Sequence, residues 1–236
     1  MRRWTDKSVS GFLNVDKPAG ITSYDVIRYI KRIPGFNSKI GHTGTLDPLA
    51  SGVLVICIGN ATKKASKFLR MEKEYVASLL LGMTTDTDDI QGKVIAAKQV
   101  DPLMLDEDKI RMVVSSFKGE IEQVPPVVSA LRKQGERLYK LHRKGKTIIP
   151  EPRKVVIHEI EIKKIEIPRI VFRVVCSSGT YVRALCRDIG KELGYGAVQE
   201  SLIRLRVGQF RIEDSVQLEK LNSESLKTYL LPESIV

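Results

Sequence analysis

Short apolar runs and one regular helical stripe set the framework of this chain. Residues 11–16 resemble a short strand. Lys17, Pro18, Ala19 and Gly20 then turn the chain, and Thr22 or Ser23 caps a helix whose apolar stripe is Val26, Ile27, Ile30 and Ile33. The continuous run 52–58 predicts a buried strand. After it, 61–71 reads as a basic helix and 75–81 as the next strand, with Tyr75 at its beginning. Asp106 is placed to cap a helix that runs to about Phe117 and is ended by Gly119. Three further runs, 155–157, 160–162 and 170–176, predict sheet strands, antiparallel because their connections are short. Ser178, Gly179 and Thr180 lead into a helix from about Tyr181 to Leu193, with Gly194 and Gly196 beyond it. The stretch 201–211 predicts a last strand with outward arginines, and 216–230 a closing helix.

Two polar stretches interrupt this pattern. Residues 84–92 are acidic and resemble a calcium loop, but Ala97 stands twelfth from Asp86 where an EF-hand needs glutamate, so a solvated turn is expected. Between Arg132 and Lys154 nine basic residues face only Glu136 and Glu151. Pro125 and Pro126 precede that stretch, and Pro150 and Pro152 close it, which predicts an arm with a short central helix rather than part of a sheet. Such a face is either merely solvated or meets a polyanion, and Tyr139 and His142 among the cations favour RNA.

The whole chain is basic as well. Its 236 residues carry a formal charge of +11, which points to RNA, DNA or an acidic membrane surface. No apolar run is long enough to cross a membrane as a helix, and Met1 to Lys7 lack the core of a signal peptide, so a cytoplasmic protein is expected. Cys57, Cys176 and Cys186 form no Cys-x-x-Cys pair and sit in apolar surroundings, which predicts buried reduced thiols. Neither they nor His42, His142 and His158 have metal-ligand spacing, so no metal is expected. A DNA-binding regulator would need a recognition helix, and no helix-turn-helix pattern is present.

The candidate chemistry lies in 41–54, Gly-His-Thr-Gly-Thr-Leu-Asp-Pro-Leu-Ala-Ser-Gly-Val-Leu. Pro48 turns Asp47 away from helical angles, and the buried run that follows anchors the loop. Asp47 is then either a brace of the turn or a well-held reactive carboxylate. Arg183, in the first turn of a helix, faces the positive end of the helix dipole. It needs compensation from Asp47, from another acid or from solvent.

This fourteen-residue string resembles the catalytic motif of the bacterial TruB family of tRNA pseudouridine synthases. Further blocks agree in order: Lys17-Pro18-x-Gly20-x-Thr22-Ser23; Lys73-Glu74-Tyr75; Pro125-Pro126-x-x-Ser129-Ala130-Leu131-Arg132-x-x-Gly135-x-x-Leu138-Tyr139; Cys176-Ser177-x-Gly179-Thr180-Tyr181-Val182-Arg183; and 202–210. The resemblance implies the α+β pseudouridine synthase fold, a mixed, largely antiparallel sheet with flanking helices and a central cleft. It also implies isomerisation of uridine to pseudouridine at position 55 in the tRNA T loop, with no cofactor. By residue, Asp47 matches the nucleophile, Tyr75 the aromatic stacked on the flipped base, and Arg183 the ion-pair partner of Asp47. Tyr181 and Leu202 match positions lining the uridine pocket, and His42 the histidine that fills the gap left in the RNA. Lys17 belongs to the opening motif, with a substrate-binding role and a purely structural one both open.

Ser178 and Ile203 depart from the family pattern, where lysine and arginine are frequent. On this reading 1–215 form the catalytic domain, with the RNA-binding arm at about 124–154, and 216–236 a short helical tail without a PUA domain. The expected partner is the T arm of tRNA, and the expected state a monomer, since no coiled-coil pattern or broad apolar stripe is visible. A tRNA chaperone is the alternative of a different class.

Overall fold

The structure, a computed structural model, describes residues 9–103, 105–129, 131–133 and 135–236. The start of the chain, where no signal peptide is expected, and Ala130 of the third resemblance block lie outside the described residues. The elements divide between two compact units. One comprises residues up to Tyr75 together with Ile203–Val236, the other Val76–Leu202.

In the first unit β1 (Gly11–Lys17) leads into α1 (Ser23–Lys31). Thr22 and Asp25 close a reciprocal capping box on that helix, which satisfies donors the first turn leaves open. Its buried face is Val26, Ile27 and Ile30, with Ile33 buried just beyond the last turn. β2 (Ile40–His42) and β3 (Ser51–Ile58) follow, then α2 (Ala65–Leu69) and the start of β4 (Lys73–Leu81). β3 is the axis of this unit: β1 runs antiparallel to it with Leu13 opposite Ile56, and β2 is also antiparallel to it with Gly41 opposite Cys57.

The second unit continues from β4. Its elements are β5 (Met83–Thr85), β6 (Val94–Ala97), α3 (Glu107–Ser116), β7 (Gly119–Gln123), the hairpin β8 (Arg132–Lys133) and β9 (Glu136–Arg137), α4 (Leu138–Arg143), β10 (Arg153–Glu166), β11 (Arg169–Cys176) and α5 (Val182–Glu192). Its main sheet has the order β4-β11-β10-β7, and β10 is antiparallel to both β11 and β7. β12 (Ala197–Val207) then carries the chain back to the first unit, which β13 (Phe210–Arg211), β14 (Val216–Gln217) and α6 (Ser225–Tyr229) complete. There the end of β12 runs parallel to β3 with Arg204 opposite Gly52, and β14 runs parallel to β1. The result is a mixed, mostly antiparallel sheet architecture with flanking helices, as the resemblance implied.

The core of the first unit gathers Phe12, Phe68 and Phe210 with Val53, Val55, Cys57, Ala61 and Val207. The three ring centroids lie 4.9 to 6.3 Å apart. Burying side chains of this size contributes roughly 1.5–3 kcal/mol each, which makes this cluster the main anchor of β3. All three cysteines are buried and free. Burial pushes the Cys57 thiol up to about 12 and the Cys186 thiol higher still.

Six local expectations change. The basic helix expected over 61–71 is a 3-10 turn, Gly59–Lys64, followed by the five-residue α2. Here Thr62 Oγ1 donates to Gly59 O, a local bond, and Ser10 Oγ, distant in sequence, accepts from the Ala61 N–H; both compete with regular helix. The two strands expected over 155–162 are one long β10, and register shifts between Ile157 and Glu159 and between Ile162 and Lys164 disguise its period. Arg153 and Lys154 belong to this strand rather than to the arm, whose short central helix, α4, is as expected.

The closing helix over 216–230 is replaced by β14, a 3-10 turn at Leu218–Lys220 and α6. Pairing with β1 wins there: after β14, Leu231 exchanges two backbone bonds with Phe12, at 2.8 and 2.9 Å. The acidic stretch 84–92 is not a solvated turn, because Asp89 is buried and Asp88, with φ of 62°, faces Arg187. Lastly, the arginines of the final strand do not all point outward. Arg204 is only 2% exposed.

Candidate active site

The loop between β2 and β3 carries Asp47, and its backbone is tied down on every side within the first unit. The Ala50 N–H donates to Asp47 O at 3.0 Å, closing a tight turn around Pro48. Ser23, in the first turn of α1, donates its hydroxyl to Leu46 O at 2.9 Å and accepts from the Leu46 N–H at 2.8 Å. The Gly20 N–H donates to Pro48 O at 2.8 Å. The turn that precedes α1 therefore packs against the loop on both sides of Asp47. Arg204 spans the loop from below: Nε donates to Val53 O at 2.7 Å and Nη2 to Gly44 O at 3.1 Å. Gly52, with φ of 98°, permits this approach, since a Cβ there would lie 2.3 Å from Arg204 O. Asp47 itself is half-buried, on a loop whose neighbours have little freedom.

Lys17 is fully buried, and its ammonium donates to Pro18 O at 2.9 Å and Ile21 O at 2.7 Å. That corrects the substrate-binding expectation, because a side chain with no accessible surface and its donors on its own turn holds the turn rather than an RNA. Burial, reinforced by the Arg204 charge and opposed by the Asp47 and Asp25 carboxylates, lowers its pKa to about 8. Two buried cations thus lie within electrostatic reach of one another, and Lys17 also within reach of the loop carboxylate.

His42 ends β2 immediately before the loop, and Tyr75 lies near the start of β4, buried. The approach to Tyr75 is set by Lys73, whose ammonium donates to Phe68 O, Leu69 O and Met71 O at 3.2, 3.2 and 2.6 Å. Next to it Glu74 pairs with Arg206 at 3.1 Å.

The second unit holds Tyr181, Arg183 and Leu202. Tyr181 is the N-cap of α5 and offers no side-chain cap. Gln123 substitutes for one: it is fully buried, its Oε1 accepts from the Tyr181 N–H at 2.8 Å, and its Nε2 donates to Tyr181 O at 3.1 Å. Arg183 donates to Thr87 O at 3.1 Å and Val128 O at 2.8 Å, and its guanidinium lies 3.6 Å from the Asp89 carboxylate. Of the compensations open to that cation, an acid other than Asp47 is therefore supplied within this unit. One turn later Arg187 pairs with Asp88 at 2.9 Å and with Asp188 at 2.9 Å, and donates to Val124 O. Burial raises the Asp88 carboxyl pKa despite the two arginines. The 84–92 loop is an acidic cradle for α5.

Ser23, Arg204, Gln123, Asp88 and Asp89 are the residues sequence reasoning passed over. The sequence alone offers Ser23 only as a helix cap and the two aspartates only as part of a calcium-like or solvated loop. Among the described residues no group of three or more His, Cys, Asp or Glu side chains is arranged to hold a metal.

A loop carboxylate locked by its neighbours, with aromatic and arginine side chains on mixed-sheet elements, finds its class in the family models. The model described as TruB family pseudouridylate synthase (N terminal domain) matches residues 31–182, and that described as tRNA pseudouridylate synthase B C-terminal domain matches 183–234. The class is that of the pseudouridylate synthases, enzymes that isomerise a nucleotide. Two curated relatives carry the name tRNA pseudouridine synthase B. That of Clostridium tetani is 47% identical over 224 residues, covering 95% of this chain and 76% of the relative. That of Clostridium kluyveri is 49% identical over 224 residues, with the same coverage of 95% and 76%. The chain belongs to the TruB family.

Solved structures agree on the fold. A Cbf5-Nop10-Gar1 complex matches with a TM-score of 0.72 at 33% identity over 94% of this chain. An H/ACA RNP bound to a substrate RNA containing 2'-deoxyuridine matches with a TM-score of 0.66 at 33% identity over 89% of it. The chain spans 60% and 52% of the matched chains in those two structures.

Proposed function

We propose that this enzyme converts uridine to pseudouridine at position 55 in the T loop of tRNA, acting as a monomer with Asp47 as its nucleophile. Family membership supports the reaction. The observation that carries the assignment of Asp47 is the bracing of its loop by Ser23, Gly20 and Arg204. Six hydrogen bonds or turn contacts spent on a half-buried loop are more than a turn needs for itself, and a reactive carboxylate must be held close to its productive geometry.

The chemistry breaks the glycosidic C–N bond, rotates the uracil and forms a C–C bond to the same sugar carbon. No electrons and no atoms are gained or lost, so the side chains named suffice without a redox partner. The base must first leave its stack, at a cost of a few kcal/mol. Tyr75 stacks on the flipped base, His42 fills the space it leaves, and Tyr181 and Leu202 line its pocket. The β8–β9 hairpin and α4 supply cations to the RNA backbone, with Tyr139 among them under the Arg143 guanidinium at 5.7 Å.

The test is incubation of the purified chain in EDTA with an unmodified tRNA transcript, followed by mapping of pseudouridine at single-nucleotide resolution. Conversion at the T-loop uridine by the wild type, and none by Asp47→Asn with RNA affinity retained, is the expected result. Turnover by Asp47→Asn removes the nucleophile assignment. Binding without conversion by the wild type replaces the enzyme reading with that of a tRNA chaperone.

A further inference from the structure

Arg153 differs from the paired cations of its stretch and from Arg173. Lys154 pairs with Glu120, Lys133 with Glu151, Lys144 with Glu136 and Arg173 with Glu159. Arg153 is half-buried, yet among the described residues no carboxylate or carbonyl accepts a hydrogen bond from it, and its Nε is buried without a partner. A guanidinium carries five donors in a planar fork. Leaving the buried Nε of a partly desolvated guanidinium unused is costly unless an acceptor completes it.

Its position is nevertheless well determined. Arg153 opens β10 directly opposite Gln123 in the β7 register, and Gln123 is the side chain that grips the Tyr181 backbone. The guanidinium lies over the Tyr181 ring at 4.8 Å from the centroid. On Gly179, a residue with φ of 87°, an added Cβ would come within 3.5 Å of the same group. The ring and the bare glycine backbone fix the plane of the fork by stacking and packing, interactions that consume none of its donors.

We propose that Arg153 is an RNA phosphate-binding residue, its free fork taking a phosphodiester next to the reacting uridine while its plane rests on Tyr181. The inference rests on the reading of Tyr181 as a wall of the uridine pocket, since a phosphate within reach of a cation stacked on that ring belongs to the nucleotide in the pocket or its immediate neighbour. A phosphodiester suits the site because it offers two oxygens to a planar fork, bidentate recognition that a lysine cannot reproduce. It also gives the family's uridine pocket an anion site on strand β10, separate from the arm.

The experiment is a cycle between one side chain and one phosphate. Wild type and Arg153→Gln are titrated with a T-arm RNA stem-loop, unmodified or carrying a single neutral methylphosphonate at each position flanking the target uridine. Wild type should lose roughly 10- to 100-fold in affinity at one of those positions, the cost of one charge-assisted contact. Arg153→Gln should be weaker on the unmodified RNA by a similar factor and indifferent to that methylphosphonate. Its slope of log affinity against log salt should be shallower by about one. In turnover KM should rise with kcat little changed, as for binding shared by ground and transition states.

Equal sensitivity of both proteins to every methylphosphonate overturns the proposal. If Arg153→Gln does not fold, Arg153→Lys takes its place: a weakened coupling supports the bidentate fork, and a full wild-type coupling overturns it. Conversion of the unmodified RNA by the wild type is measured alongside. Its failure removes the proposed reaction, whereas the phosphate coupling is read from binding and stands or falls by itself.

Discussion

Replacing Ser23 by alanine tests whether the α1 side of the loop holds Asp47 for chemistry. The hydroxyl both donates to Leu46 O and accepts from the Leu46 N–H, at 2.9 and 2.8 Å. Ser23 is 2% exposed and Leu46 3%, so solvent does not replace the lost bonds. Each hydrogen bond contributes about 1 kcal/mol net, and an orphaned buried backbone group costs about 1–3 kcal/mol more, which sets the expected loss at roughly 2–4 kcal/mol. With a urea m-value near the upper end for single domains, about 3 kcal/mol/M, the midpoint should fall by about 1 M. The loop is adjacent to the carboxylate, and a displacement of about 1 Å at a reacting group can cost on the order of 100-fold in rate. Urea unfolding followed by circular dichroism, together with single-turnover release of tritium from C5 of uridine, measures both effects. A variant that loses stability as expected but keeps the wild-type rate would refute the claim that Ser23 aims Asp47, and one that keeps its stability would refute the bonding estimate itself.

Two further outcomes are expected. Lys17 has its pKa lowered from 10.5 to about 8 in the folded protein, so between those values the unfolded chain holds a proton that the folded chain has released. Stability from this group therefore rises with pH across that window, by about 3 kcal/mol, and the neutral amine still has the two N–H groups that Pro18 O and Ile21 O require. Lys17→Met should lack this rise, and parallel stability curves for the two proteins from pH 7.5 to 10.5 would contradict it. Gly52→Ala places a Cβ 2.3 Å from Arg204 O on a backbone with φ of 98°, and should cost about 3 kcal/mol or more in urea unfolding. A loss under about 1 kcal/mol would mean that β3 and β12 are not as closely paired as their register indicates.

The places where sequence and structure part company have identifiable physical causes. The loop around Asp47 and the turn containing Lys17 are legible because each is a contiguous string whose residue types have local consequences. The helix α1 is legible because its period is regular and its cap lies beside it. Arg204 is not legible, since an alternating strand invites the assumption that its apolar face is buried. In β12 this inverts locally, with Ile203 38% exposed and Arg204 2% exposed, because the inner face must satisfy the carbonyls of Gly44 and Val53. The 84–92 loop misleads for a related reason. Its acids look like surface residues until the arginines of α5, about a hundred positions later, supply their partners. The C-terminal segment, finally, has helical composition, but the free edge of β1 offers backbone bonds that no local signal announces.

The three buried thiols have a practical consequence for observing the enzyme at work. Cys57, Cys176 and Cys186 have no exposed surface, and burial leaves Cys57 and Cys186 far from the thiolate form that electrophiles attack. The native chain is thus a silent background for maleimide chemistry, with no need to remove cysteines from its cores. A single cysteine introduced at the exposed Lys146, beyond α4, would take a fluorophore or spin label alone. Such a label would report whether the arm meets RNA.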